Sequence, residues 1–161
     1  EDIMRDPMLD RRATLRLAGA AVGALLAGPA FAGDAKSVNG HRIARNALKY
    51  KGDRYVSGGS SPKQGFDCSG LTWYVFTRVA KRDIGRTVKA QWKQGKKVKQ
   101  NKWKPGDLVF FRNTDGHGLT HVGIFIGGGK FVHAENQKTG VVVTPIDSDY
   151  YTKHYAGARR L

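Results

Sequence analysis

The sequence predicts an α+β domain in which amphipathic helices precede an antiparallel sheet. Two helical stripes carry the first half of that expectation. Ile43, Ala44, Ala47 and Leu48 form one, and Cys68, Leu71, Thr72, Val75 and Val79 the other, both at the three-and-four spacing of a helix face. The third observation is a change of period after residue 120, where Val122, Ile124 and Ile126 alternate with His121, Gly123 and Phe125. Helices followed by a run of strands is the order expected of an α+β fold rather than of alternating βαβ units.

Taken in order, the first helix covers His41 to Tyr50 and is closed by Gly52. Tyr55 to Gln64 is rich in Gly and Ser and contains Pro62, so it reads as a loop. Asp67 then stands where an N-cap belongs, with a helix from Cys68 to about Ala80. Pro105-Gly106-Asp107 makes a turn into a short apolar strand, Leu108 to Phe111, and Asn113 to Gly118 is a second loop. The strand His121 to Gly127 is turned by Gly127-Gly128-Gly129 into Phe131 to Asn136, and Gly140 to Ile146 completes a meander of at least four strands.

Residues 1–32 read as an export signal. Arg11-Arg12 and Arg16 precede Leu17 to Ala32, a stretch with no charge that is shorter than the roughly 20 residues of a membrane helix. It ends in Ala30-Phe31-Ala32, a small-x-small cleavage pattern, so cleavage after Ala32 is expected. The run from Asp10 to Arg16 resembles a twin-arginine signal, with Thr14 where a larger apolar residue is usual. No cysteine follows the apolar run, so no lipid anchor is expected, and the run is too short for a transmembrane anchor; the processed protein should be periplasmic or secreted. Residues 33–40 would form a short tail and 41–161 the folded domain.

The single cysteine excludes an internal disulfide framework and thiolate metal clusters. The net charge is +15, and residues 1–32 hold four basic and four acidic side chains, so the excess belongs to the domain. It concentrates from Arg78 to Lys104, where eleven Lys or Arg face the lone acid Asp83. Such a stretch attracts polyanions. Trp92 and Trp103 fall within it, yet no nucleic-acid motif accompanies them, and export points instead to anionic cell-wall polymers.

Chemistry concentrates at Cys68. A free cysteine is most often an inert buried hydrophobe. Here it is an unpaired thiol in a chain with an export signal, placed at a helix N-terminus where free N–H groups favour the thiolate. A nucleophile with a lowered pKa is the expectation. Of the five histidines, His121 sits on the minority face of an alternating strand beside Gly123, and His133 lies on the next strand; His41, His117 and His154 read as surface residues. His121 and His133 share a face only if residues of equal parity pair, with Gly123 opposite His133. Zinc held by Cys68, His121 and His133 is a competing use, but the spacing matches no common zinc signature and no fourth ligand is evident.

Together the blocks Tyr55-Val56-Ser57-Gly58-Gly59, Gly65-Phe66-Asp67-Cys68-Ser69-Gly70-Leu71, Arg86-Thr87 with Gln91, Pro105 to Phe111, His121-Val122-Gly123-Ile124 and Val132-His133-Ala134 resemble the NlpC-type cell-wall cysteine peptidases. The resemblance implies a papain-like α+β fold with the helices packed on an antiparallel half-barrel. It implies hydrolysis of peptidoglycan stem peptides, commonly between γ-D-glutamate and a diamino acid, without cofactor or metal. It further implies a triad of Cys68 as nucleophile, His121 as general base and acid, and His133 orienting His121. Tyr55, Asp67, Ser69, Arg86 and Gln91 would bind substrate, and the Cys68 N–H with Tyr55 would meet the oxyanion. Related folds leave open a wall amidase, an acyltransferase, or an inactive basic wall-binding module.

Overall fold

A computed structural model describes residues 38–161; the expected export signal and most of the tail lie outside them. Helix α1 spans Gly40–Leu48 and is capped by Asn39, whose Oδ1 accepts from the Arg42 N–H at 3.1 Å. It buries Ile43, Ala44 and Ala47, the face expected from the sequence. The loop that follows contains a small ribbon, β1 (Ser60–Ser61) against β2 (Gly65–Phe66). Helix α2 is Cys68–Ala80, with Asp67 as N-cap accepting from the Gly70 N–H at 2.7 Å. Its first turn meets the loop so closely that a Cβ at Gly70 would collide with the Gly59 carbonyl oxygen, so glycine is required there.

The basic stretch is not featureless. It carries α3 (Val88–Trp92), capped by the Thr87 hydroxyl, and the edge strand β3 (Lys96–Val98). Then come β4 (Leu108–Arg112), β5 (Leu119–Gly127), β6 (Lys130–Asn136), β7 (Gly140–Pro145), α4 (Asp149–His154) and β8 (Tyr155–Arg160). The last strand of the chain inserts between β3 and β4, giving the order β3-β8-β4-β5-β6-β7 with every pairing antiparallel. The α+β class expected from the sequence is therefore observed.

Parity divides the sheet into two faces. Val122 and Ile124 of β5 and Val132 and Ala134 of β6 point to the helices, where they pack with Ile43, Leu71, Val75 and Phe76. The opposite face carries Phe111, Phe125, Phe131, Ile146 and Tyr151. Ile124 pairs with Val132 and Phe125 with Phe131, a register that, continued by one pair, sets Gly123 opposite His133 as predicted. Next to the glycine turn Gly127 pairs with Lys130, residues of unequal parity, and a shift between Phe125 and Gly127 brings the ladder into the equal-parity register.

Candidate active site

Cys68 opens α2 and points at the beginning of β5. Its Sγ lies 3.9 Å from the Thr120 carbonyl oxygen, and the backbone N–H groups of Val122, Ser69 and Cys68 itself surround it. The sulfur is thus held against the backbone on both sides of His121, from the helix side of the sheet. His121 belongs to the other face. Its Nε2 is 2.8 Å from Nδ1 of His133, and Nε2 of His133 is 2.9 Å from the Thr144 hydroxyl. That arrangement leaves Nδ1 of His121 as the ring nitrogen available to the thiol. His133 is fully buried, stacked on Phe131 at 4.4 Å between centroids and touched by the edge of Tyr151 at 5.3 Å. A cleft of about 970 Å³ is lined by Cys68 and His121 together with Tyr55.

The electrostatics correct one expectation. A helix N-terminus was expected to lower the thiol pKa, but burial pushes it up to about 11, and the Asp67 carboxylate adds to the rise. The three N–H groups oppose this shift without reversing it. Burial also pushes His121 down to about 4 and holds His133 well below the usual imidazole range, with His121 as a second cause. At neutral pH the resting pair is a thiol and a neutral imidazole. Tyr55 is shifted upward, first by burial and then by its neighbours Cys68, Asp67 and Asp115, so its hydroxyl remains a donor.

The residues expected to bind substrate separate into two groups. Tyr55 lines the cleft. Asp67, Ser69 and Arg86 form a network beside it: Arg86 donates to both Asp67 oxygens at 2.9 Å, to the Ser69 hydroxyl at 3.0 Å and to the Gly59 carbonyl at 3.0 Å. The second Asp67 oxygen also accepts from the Gly58 N–H at 2.9 Å. An incoming amine would have to share this carboxylate with Arg86. Gln91 does not line the cleft and has no exposed surface. Its amide bonds Thr72, the Ser69 carbonyl and the Gly85 carbonyl, so it ties α3 to α2 instead of meeting a ligand.

Sequence reasoning passed over the far wall of the cleft, where Asp115, Glu135, Lys138, Tyr150 and Tyr151 stand. Glu135 accepts from the Tyr151 hydroxyl at 3.2 Å and the Thr139 hydroxyl at 2.7 Å. The only hint in the sequence was the cluster of tyrosines near His154, whose own Nδ1 lies 2.8 Å from the Arg112 carbonyl oxygen. Among the described residues, no group of three or more His, Cys, Asp or Glu is placed to hold a metal ion, since His121 and His133 turn nitrogens toward each other.

Nine of the eleven basic residues between Arg78 and Lys104 are exposed; Arg86 is committed to Asp67 and Arg82 is half-buried. The tryptophans of this stretch are engaged. Trp92 packs on Phe110 and under the Arg159 guanidinium, and Trp103 donates to the Tyr155 hydroxyl at 2.8 Å.

Known proteins resemble this chain in sequence and fold. The chain is 41% identical over 118 residues to gamma-DL-glutamyl hydrolase of Bacillus subtilis, covering 73% of this chain and 28% of that protein. It is 39% identical over 131 residues to murein DD-endopeptidase MepH of Escherichia coli, covering 79% and 48%. The chain therefore spans less than half the length of either relative. The crystal structure of the NlpC/p60 domain of peptidoglycan hydrolase SagA superposes with a TM-score of 0.67 at 38% identity, over 77% of this chain and all of that domain. The family model described as NlpC/P60 matches residues 52–160, from the loop after α1 through β8, and the chain belongs to the NlpC/P60 family.

Proposed function

We propose that the protein is a peptidoglycan hydrolase, a thiol endopeptidase that cuts stem peptides of the bacterial wall between γ-D-glutamate and a diamino acid. One observation carries the reading: the sole thiol abuts the backbone that bears His121, and that imidazole, which lines an open cleft with Cys68, is linked to the buried His133. Because the resting pair is neutral, His121 acts first as a base. The thiol proton passes to its Nδ1 as Sγ bonds to the scissile carbonyl carbon. The developing oxyanion is met by the Cys68 N–H and the Tyr55 hydroxyl. The imidazolium then returns its proton to the leaving amine, the C–N bond breaks, and a thioester remains. Water, activated by His121, adds to the thioester and expels the thiol.

Asp67, Ser69 and Arg86 support recognition at the neighbouring residue of the stem peptide. The exposed lysines of α3, β3 and the segment after it support attraction to anionic wall polymer. Export through a leader at residues 1–32 fits an enzyme whose substrate lies outside the cytoplasm. Cys68→Ala tests the central claim on purified muropeptides, with products weighed by mass spectrometry. Turnover should fall by at least about 10⁴ while wall binding survives. An unchanged rate would end the thiol mechanism, and products joined to a new acceptor would identify an acyltransferase.

A further inference from the structure

Behind the two histidines stands a residue that neither the sequence pattern nor the proposed triad uses. Thr144 of β7 pairs with Phe131, and its neighbour Val142 pairs with His133, so the threonine lies diagonally across the ladder from His133 on the same face. Its hydroxyl is 2.9 Å from His133 Nε2. Among the described residues no carboxylate hydrogen-bonds either imidazole. The other titratable groups against the rings are Cys68 beside His121 and Tyr151 beside both, with Glu135 engaged by the Tyr151 hydroxyl.

The proton inventory then becomes restrictive. When His121 holds the thiol proton on Nδ1, its other proton sits on Nε2 and must be donated to Nδ1 of His133, which therefore has to be bare. The proton of His133 is then on Nε2, buried, and Thr144 Oγ1 is its acceptor. In the opposite tautomer His133 donates from Nδ1 to His121 Nε2, which places the His121 proton on Nδ1, facing the sulfur. That form has no site to receive the thiol proton.

We propose that Thr144 is a positioning residue whose hydroxyl, by accepting from His133 Nε2–H, keeps His121 in the tautomer with a bare Nδ1 and so ready to act as base. The proposal rests on the thiol mechanism above and adds to it the group that selects the tautomer. Unlike a carboxylate, a hydroxyl does this without bringing a fixed negative charge under a buried ring.

The test uses the full chain labelled with ¹⁵N at histidine, with the muropeptide assay alongside. Thr144→Val keeps shape and strand propensity but removes the acceptor, leaving a buried N–H unpaired. The parent protein should show Nε2–H at both His121 and His133. The valine variant should shift toward Nδ1–H, and its kcat should fall about tenfold with KM unchanged. Its acid limb should move to lower pH by about one unit, because the imidazolium has lost part of its support. Thr144→Ser should restore both signals. A valine variant within twofold of the parent, a loss of rate without a change of tautomer, or failure of the serine to rescue would each overturn the assignment. Cys68→Ala measured in parallel separates the two claims: if it is inert while Thr144→Val is normal, only the role of Thr144 falls.

Discussion

Alkylation of Cys68 by iodoacetamide reads the thiolate directly, and the burial of the site sets what it should find. With the thiol pushed up to about 11, its thiolate fraction at pH 7 is about 10⁻⁴. A free cysteine titrating near 8.5 would hold about 3%. The reaction at pH 7 should therefore run roughly 300-fold slower than for free cysteine and climb about tenfold per pH unit with no plateau below about pH 10. Activity has a matching acid limb. His121, pushed down to about 4, should remain about 97% neutral at pH 5.5, where an ordinary imidazole would be about 9% neutral, so kcat/KM should persist to that pH. Stability follows the same linkage with a definite sign. An unfolded histidine takes its proton near 6.5 and the folded His121 only near 4, so the unfolded state binds more protons between those values. Stability should be complete above 6.5 and decline as pH falls toward 4, by about 3 kcal/mol from this residue, measured by urea unfolding at pH 7 and 4.5. His121→Asn should remove the share of that slope that comes from this residue, leaving the share of His133, which burial also holds below the usual range. Fast alkylation, flat from pH 6 to 9, would mean a standing thiolate–imidazolium pair and would refute the argument from burial.

Two further outcomes follow from packing and charge. A Cβ at Gly123 would lie 2.6 Å from Phe131 Cδ2, 2.9 Å from the Val132 carbonyl oxygen and 3.1 Å from the His133 Cβ, so Gly123→Ala must push β5 from β6. It should cost about 2 kcal/mol in urea unfolding and lengthen the contact between the histidines, and a stable, fully active alanine variant would contradict that geometry. Affinity for isolated wall material should fall as salt rises from 50 mM to 500 mM, and replacing Lys96, Lys97 and Lys99 by Gln should flatten that dependence; binding indifferent to salt would remove the basic surface from the proposal.

What the sequence made legible was local. Stripes at Ile43 to Leu48 and Cys68 to Val79, the Asp67 cap and the alternation after His121 each carry their own periodicity, and all correspond to observed elements. Strand β8 escaped because Tyr155 to Arg160 holds Ala-Gly-Ala and two arginines, no alternation of apolar and polar residues, and gains its place only by pairing on both sides, with β3 and β4. Helices α3 and α4, at five and six residues, are too short for a periodic signal and are held by tertiary packing. At the site, Gln91 was misread because a polar side chain in a loop-like stretch looks accessible, whereas its burial depends on Thr72, Ser69 and Gly85 arriving from elsewhere. Thr144 escaped for the same reason in reverse: a threonine in a strand is ordinary until the register sets it behind a particular histidine.

The thiol pKa shows how a correct local rule can lose to burial. The helix end does aim N–H groups at Cys68, and each one favours the thiolate. Yet α2 delivers the sulfur from the helix-packed face while His121 and His133 occupy the other, so the two sides can meet only at the beginning of β5, where the sheet ends. Bringing the thiol to that edge buries it against Thr120 and Val122, and the desolvation of a lone charge outweighs a few oriented dipoles. The geometry that creates the pair therefore also keeps it neutral at rest. Charge separation is deferred until a carbonyl carbon is available to the sulfur, when the base needs only a bare nitrogen and the cation that forms needs only a neighbour able to accept its second N–H.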